Sequence, residues 1–258
     1  MDGQFIWYEL MTSDTAAAGD FYCKVIGWQL RDSGIPGMDY MQFAVDGFEM
    51  PIGGLMALSP DMVSPGVPPN WSGYVYASDV DAKASAFETA GGKILIPPTD
   101  IPKTGRFAVL ADPFGAVINL FCPVPMEGPM PEGPKPPSPG TFAWHELYTD
   151  DPDAAMAFYA EMFGWQADAP FDMGEMGKYL LFSAGGRQIG GIMRKWPAMP
   201  MSFWNYYVVV DAIDAAVLRV TDNGGTIVNG PHEVPGGSFI VQCNDPQGGL
   251  FSLTASKR

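Results

Sequence analysis

The chain has 258 residues, 47% of them hydrophobic, and its 29 acidic side chains outnumber 14 basic ones for a formal charge of −15. That much apolar material builds two ordinary cores and excludes a disordered polypeptide. Fourteen basic residues spread along the chain, without the clusters that phosphate contacts need, argue against binding nucleic acid, and no apolar run is long enough to span a bilayer.

In chain order, residues 5–11 read as a strand, with Trp7 and Glu9 on one face and Tyr8 on the other, because side chains alternate along a strand. Asp14 caps a helix that runs through Phe21 and Tyr22 and stops at Gly27. Residues 40–45 and 53–58 follow as strands, with an Asp46-Gly47 turn between them. A second round begins with a strand at 73–77 and a helix from about Asp81 to Ala90, closed by Gly91-Gly92. Strands near Ile94, at 107–110 and at 117–121 complete it, the last preceded by Asp112-Pro113-Phe114-Gly115 as turn chemistry. Residues 123–140 hold eight prolines in eighteen positions and predict an extended, fairly stiff spacer, though such a stretch also resembles a ligand for proline-binding modules.

Beyond the spacer the chain repeats itself. Phe5, Trp7, Glu9, Leu10, Phe21, Tyr22, Gly27 and Trp28 return as Phe142, Trp144, Glu146, Leu147, Phe158, Tyr159, Gly164 and Trp165, each 137 residues later. Ile52-Gly53-Gly54-Leu55-Met56 returns at the same offset as Ile189-Gly190-Gly191-Ile192-Met193. A period of that length is too long for a solenoid, whose units run to about 20–50 residues, so each copy is expected to be a domain. The predicted organisation is a first domain at 1–122, the spacer at 123–140 and a second domain at 141–258, each built from two βαβββ units.

The WxEL strand, the capped helix ending in FYxxxxGW, the DVDA and AIDA helix starts, IGGxM and DPxG occur in order in both copies. Together they resemble the vicinal oxygen chelate superfamily, which includes glyoxalase I, extradiol dioxygenases and bleomycin-resistance proteins, and most of all its bacterial tandem-domain glyoxalase-like subgroup. The resemblance implies an α+β fold in which each pair of βαβββ units forms an open eight-stranded cup around a ligand. It also implies where a metal would be held. Those positions carry Trp7 and Trp144 on the first strands, Ser72 and Asn205 on the next, the Gly53-Gly54 and Gly190-Gly191 pairs, and Asn119 and Ser252 on the last strands. Tryptophan does not coordinate, and amides and hydroxyls are poor ligands for transition metals, so no metal site and no cofactor are expected. If a divalent ion binds, Glu9 and Glu146 are its best candidate ligands.

Neither histidine fills the gap. His145 adjoins Trp144 and points to the opposite face, read as surface, and His232 falls in a loop between Pro231 and Pro235, so an iron facial triad and dioxygenase chemistry are disfavoured. Glu9 and Glu146 share a strand face with the tryptophans. Such an inward carboxylate is either a general base, its proton affinity raised by desolvation, or a structural acceptor of hydrogen bonds. The paired tryptophans either line an aromatic cavity or fill a core. Arg106 has Ser238 near its place in the second copy; it either clamps an anionic group or pairs at the surface with Asp100 or Asp112.

The expected function is that of a glyoxalase-like protein of small-molecule metabolism or detoxification, a lyase or isomerase if an enzyme. Glu9 and Glu146 are the candidate catalytic residues, and Trp7, Ser72, Asn119, Trp144, Asn205, Ser252 and Arg106 the candidate substrate-binding ones. The alternative is a non-catalytic protein that sequesters a hydrophobic or cationic compound, as bleomycin-resistance members do. The expected partner is a small molecule, with neither nucleic acid nor membrane. Cys23, Cys122 and Cys243 form no zinc spacing and read as reduced thiols, and the start Met1-Asp2-Gly3-Gln4 lacks the basic region of a secretory signal, so a cytoplasmic protein is expected.

Overall fold

The computed structural model describes every residue except Pro36, Pro65, Glu127, Pro129 and Met130, and describes Met176 by its backbone alone. The spacer expected at 123–140 therefore lies outside the described residues at three of its positions, Glu127, Pro129 and Met130.

Four βαβββ modules follow one another. The first holds β1 (Phe5–Thr12), α1 (Thr15–Ile26), β2 (Gln29–Asp32), β3 (Met41–Ala44) and β4 (Pro51–Ala57). A single turn, α2 (Pro60–Val63), leads to β5 (Asn70–Tyr76), α3 (Val80–Thr89), β6 (Lys93–Ile101), β7 (Gly105–Ala111) and β8 (Val117–Pro123). The third module has β9 (Phe142–Thr149), α4 (Pro152–Phe163), the two-residue strands β10 (Gln166–Ala167) and β11 (Phe171–Asp172), then β12 (Lys178–Ala184) and β13 (Arg187–Arg194). The fourth is β14 (Phe203–Val209), α5 (Ile213–Asp222), β15 (Thr226–Glu233), β16 (Phe239–Asn244) and β17 (Leu250–Ala255).

Helix boundaries follow their caps. The carboxylates of Asp14 and Asp151 accept from the backbone N–H groups of Ala17 and Ala154, and α1 and α4 end at Gly27 and Gly164 in the left-handed conformation. Helix α3 starts just before the expected Asp81, because Asp79 caps it by accepting from Ala82 N–H. In each module the first strand pairs in parallel with the last, the helix making the crossover. Glu9 thereby faces Gly54 across β1–β4, Tyr74 faces Asn119 across β5–β8, Glu146 faces Gly191 across β9–β13, and Tyr207 faces Ser252 across β14–β17.

Compact packing does not follow the two sequence copies. One unit gathers Met1–Trp7, Ser72–Pro129 and Trp144–Asn205, the other Tyr8–Trp71, Met130–Ala143 and Tyr206–Arg258, so each takes a module from each copy. The cause is the way helix-bearing faces bury each other. In the first unit Phe87 of α3 meets Phe158 of α4 edge-on at 4.8 Å, and Tyr159 donates to Asp112 at 2.9 Å. In the second, Phe21 of α1 meets Phe251 of β17 at 5.7 Å, Tyr22 donates to Asp245 at 3.0 Å, and Trp71 donates to Tyr22 at 2.9 Å. The FY motif of one copy is thus tied to the DPxG aspartate of the other. Each aspartate also fixes its own turn, Asp112 accepting from the N–H groups of Phe114 and Ala116 and Asp245 from those of Gln247 and Gly249. Burial pushes both carboxyl groups above the ordinary range, while backbone donors and the tyrosines pull them back. Trp28 and Trp165 are packing residues, as expected, 3% and 2% exposed.

Candidate functional site

The sheet face turned away from the helices carries the polar chemistry. Along β9, Leu147 is fully buried on the helix side, so Trp144, Glu146 and Tyr148 project the other way. Glu146 is 6% exposed, and both its oxygens are engaged. Tyr148 donates to Oε2 at 2.5 Å and Tyr179 donates to Oε1 at 2.8 Å. Trp144 donates its indole N–H to the Tyr179 oxygen at 2.8 Å, which fixes that phenol as a donor towards the carboxylate. Burial, then the neighbouring Glu146 charge, holds the Tyr179 hydroxyl well above its ordinary pKa.

Glu9, 8% exposed, sits in the other unit in a related setting, with Tyr40 donating to its Oε2 at 2.8 Å. The IGGxM motif explains both tyrosines. A side chain on Gly54 would overlap the Tyr40 hydroxyl, and one on Gly191 would overlap the Tyr179 ring. The second glycine of each pair is therefore the space in which the carboxylate's phenol lies. Sequence reasoning missed Tyr40, Tyr148 and Tyr179; an interior-strand glycine repeated in both copies was the signal for the first and last.

The remaining candidates separate. Asn119, 2% exposed, donates its amide N–H to the Ser72 hydroxyl, so these two are bonded to each other in the first unit. Asn205 and Ser252 are buried on β14 and β17, and Trp7 is half-buried on β1. Arg106 does not join them. It shares its strand face with Ala108 and Leu110, towards α3, where Asp81 accepts from it at 2.6 and 2.7 Å and Asp100 at 2.9 Å. The expected surface pairing is correct for Asp100, while Asp81 takes the place proposed for Asp112.

Both histidines differ from expectation. His145 is buried, not surface-exposed: its ring stacks on Phe5 at 4.0 Å and its Nδ1–H donates to the Ile189 carbonyl at 2.7 Å. Burial pushes its pKa down to about 3, against the opposing pull of that bond, so it is neutral. Its direction away from Glu146 is as read from strand parity. His232 belongs to β15, not to a loop, and is exposed.

Among the described residues no group of three or more His, Cys, Asp or Glu side chains could hold a metal ion. The positions that the resemblance assigns to metal ligands carry indole, amide, hydroxyl and glycine, and the two glutamates beside them are bound by phenols. This donor set does not fit a transition-metal ion. A shallow groove of about 870 Å³ between α3 and α4 is mostly apolar, with Glu161 its one ionisable side chain, and lies away from the Glu146 cluster.

Comparison with known proteins matches residues 4–120 and 141–253 to the Glyoxalase/Bleomycin resistance protein/Dioxygenase superfamily. The chain is 31% identical over 251 residues to a provisionally named glyoxylase, CFP32, of Mycobacterium tuberculosis, covering 96% of this chain and 92% of that protein. It is 31% identical over 264 residues to the anthracycline biosynthesis protein DnrV of Streptomyces peucetius, covering 96% and 91%. In structure it resembles the 2,3-dioxygenase LapB from Pseudomonas (TM-score 0.67, 12% identity, 99% of this chain and 92% of that one). It also resembles the Mn(II)-bound glyoxalase from Novosphingobium aromaticivorans (TM-score 0.67, 16% identity, 100% and 83%).

Proposed function

This chain belongs to the glyoxalase/bleomycin resistance/dioxygenase superfamily, and on that premise we propose a role in small-molecule metabolism or detoxification, with Glu9 and Glu146 anchoring an apolar, planar ligand. The observation that carries the reading is Glu146, whose two oxygens each accept a phenol O–H while an indole locks one of the phenols. The bonds from the two phenols fix the direction of the carboxylate. Saturation by phenols suits an anchor better than a base that must remove a proton. The aromatic surroundings, Trp144, Tyr148 and Tyr179 with Trp196 stacked on Tyr148 at 5.7 Å, supply apolar surface. Relatives named for anthracycline biosynthesis support a fused-ring ligand, because an anthracycline is itself a fused-ring quinone.

No step is routed through a metal, since the donor set does not fit one. That same observation favours a second reading, a non-catalytic protein that sequesters its ligand. For either reading the partner is a small molecule and the setting is cytoplasmic, without nucleic acid or membrane. The charge of −15 argues against a nucleic-acid partner; among the described residues no helix is long and apolar enough to cross a membrane.

Glu9→Gln and Glu146→Gln, made separately, test the proposal. Binding is followed by tryptophan fluorescence with anthraquinone-2-sulfonate, and turnover with the hemithioacetal of a 2-oxoaldehyde. Loss of turnover with binding retained supports chemistry at the glutamates. Loss of binding, with no turnover even in the unmodified protein, supports sequestration. Unchanged behaviour of both variants sinks the assignment of either residue.

A further inference from the structure

Of the described phenylalanines, tyrosines and tryptophans, only Phe171 and Trp196 are exposed, at 43% and 40%. A single exposed aromatic side chain needs no explanation, but these two flank one carboxylate. Phe171 on β11 stands directly opposite Tyr179 on β12, and residues opposite one another in an antiparallel pair share a face. Tyr179 donates to Oε1 of Glu146. On the other side Trp196 stacks on Tyr148, which donates to Oε2 of the same group. The order across this helix-free face is therefore Phe171, Tyr179, Glu146, Tyr148, Trp196, with each exposed ring one phenol away from the carboxylate.

Both rings sit on chain that is tied down. Beside Trp196, Lys195 donates its backbone N–H to the Thr149 carbonyl at 2.9 Å and its ammonium to the Met199 carbonyl at 3.0 Å, and it pairs with Asp150 at 3.1 Å. Phe171 opens a hairpin that the Met173 N–H closes on the Gly177 carbonyl at 2.8 Å, while the Asp172 carboxylate accepts from Gly174 N–H at 2.9 Å. A ring already held in place gives up little conformational freedom when a ligand stacks on it. The first copy has no equivalent. The 137-residue offset puts Gly34, Ser59 and Met11 where Phe171, Trp196 and Tyr148 stand, and neither residues 33–39 nor residues 58–69 include an aromatic side chain.

Strand β11 lies three strand spacings from β9, about 14 Å, through β12 and β13. One six-membered ring does not meet side chains from both ends of that span, whereas several fused rings do. We propose that Phe171 and Trp196 are the specificity-determining residues of the Glu146 site, an aromatic pair that selects a ligand of several fused rings lying across β12, β13 and β9. The proposal rests on the planar-ligand reading given above, and it makes the two copies unequal: the Glu146 site takes the polycyclic ligand and the Glu9 site does not.

Equilibrium dialysis of the full chain against anthraquinone-2-sulfonate and the shorter naphthalene-2-sulfonate reads affinity and stoichiometry without relying on tryptophan emission. The unmodified chain is expected to hold one anthraquinone. Phe171→Ala and Trp196→Ala are each expected to weaken it about threefold to tenfold, and Trp196→Phe to restore most of the loss at that position. Both side chains are exposed, so these substitutions leave the core intact. The naphthalene probe is expected to respond to no more than one of the two alanine variants. Anthraquinone binding that neither alanine variant changes overturns the aromatic pair and leaves the planar-ligand reading standing. Two equal anthraquinone sites per chain also overturn the pair alone, as does a naphthalene affinity that falls in both variants as far as the anthraquinone affinity does. Binding of neither probe overturns both.

Discussion

Acidification should unfold this protein partly through His145. The ring is buried, stacked on Phe5, and holds a pKa of about 3, whereas an unfolded chain titrates its histidines near 6.5. Because the folded value lies below the unfolded one, protonation favours unfolding. The stability tied to the neutral ring is complete above about pH 6.5 and is lost as pH falls towards 3. Working the linkage between those two values gives a loss of about 2 kcal/mol at pH 5 relative to pH 8. Asp112 and Asp245 act with the opposite sign, since their raised values favour the folded state at low pH and their contribution declines as pH rises. A double difference removes them. Urea unfolding of the unmodified chain and of His145→Gln, at pH 8 and pH 5, should show the unmodified chain losing about 2 kcal/mol more than the variant. The His145 ring proton, identified in NMR spectra as the signal missing from the variant, should not move between pH 8 and pH 5. Parallel pH dependences, or a ring that titrates near 6.5, would refute the account of a neutral buried histidine.

Gly191→Ala should push Tyr179 off Glu146 and destabilise the chain by about 1–3 kcal/mol, an overpacking cost that a second change, Tyr179→Leu, partly relieves; chemical denaturation of the three variants reads this out. Tyr159→Phe removes the phenol donor from buried Asp112 and from the Trp204 N–H its acceptor, for a loss of about 1–3 kcal/mol in the same assay. Arg106→Ala should leave the affinity for anthraquinone-2-sulfonate unchanged, because the guanidinium is held by Asp81 and Asp100 on the helix side of its sheet; a fall in affinity would return it to the ligand site.

What the sequence disclosed depended on whether the physics was local. The caps at Asp14 and Asp151, the stops at Gly27 and Gly164 and the strand parity that separates Glu146 from His145 involve near neighbours in the chain, and they were readable. The interleaved units were not, because the bonds from Tyr22 to Asp245 and from Tyr159 to Asp112 join motifs that sequence order keeps in different copies. The phenols that hold the glutamates escaped for a related reason. Tyr179 follows Tyr40 by 139 residues, off the 137-residue register of the repeat, and the position matching Tyr148 is Met11.

Strand β15 shows most plainly where alternation fails. Asn229 and His232 are three residues apart, and an unbroken strand would turn them to opposite faces. Register irregularities in β15–β16 between Ile227 and Asn229 and again between Asn229 and His232 bring the two into one hydrogen-bonded chain. An irregular strand in the other copy, β6, shifts register against β7 in the corresponding places, between Ile94 and Ile96 and between Ile96 and Thr99. The backbone device is therefore common to both copies, and the side chains differ: Val109 stands where Gln242 stands. Duplication supplied one geometry twice, and the chemistry diverged at single positions on it.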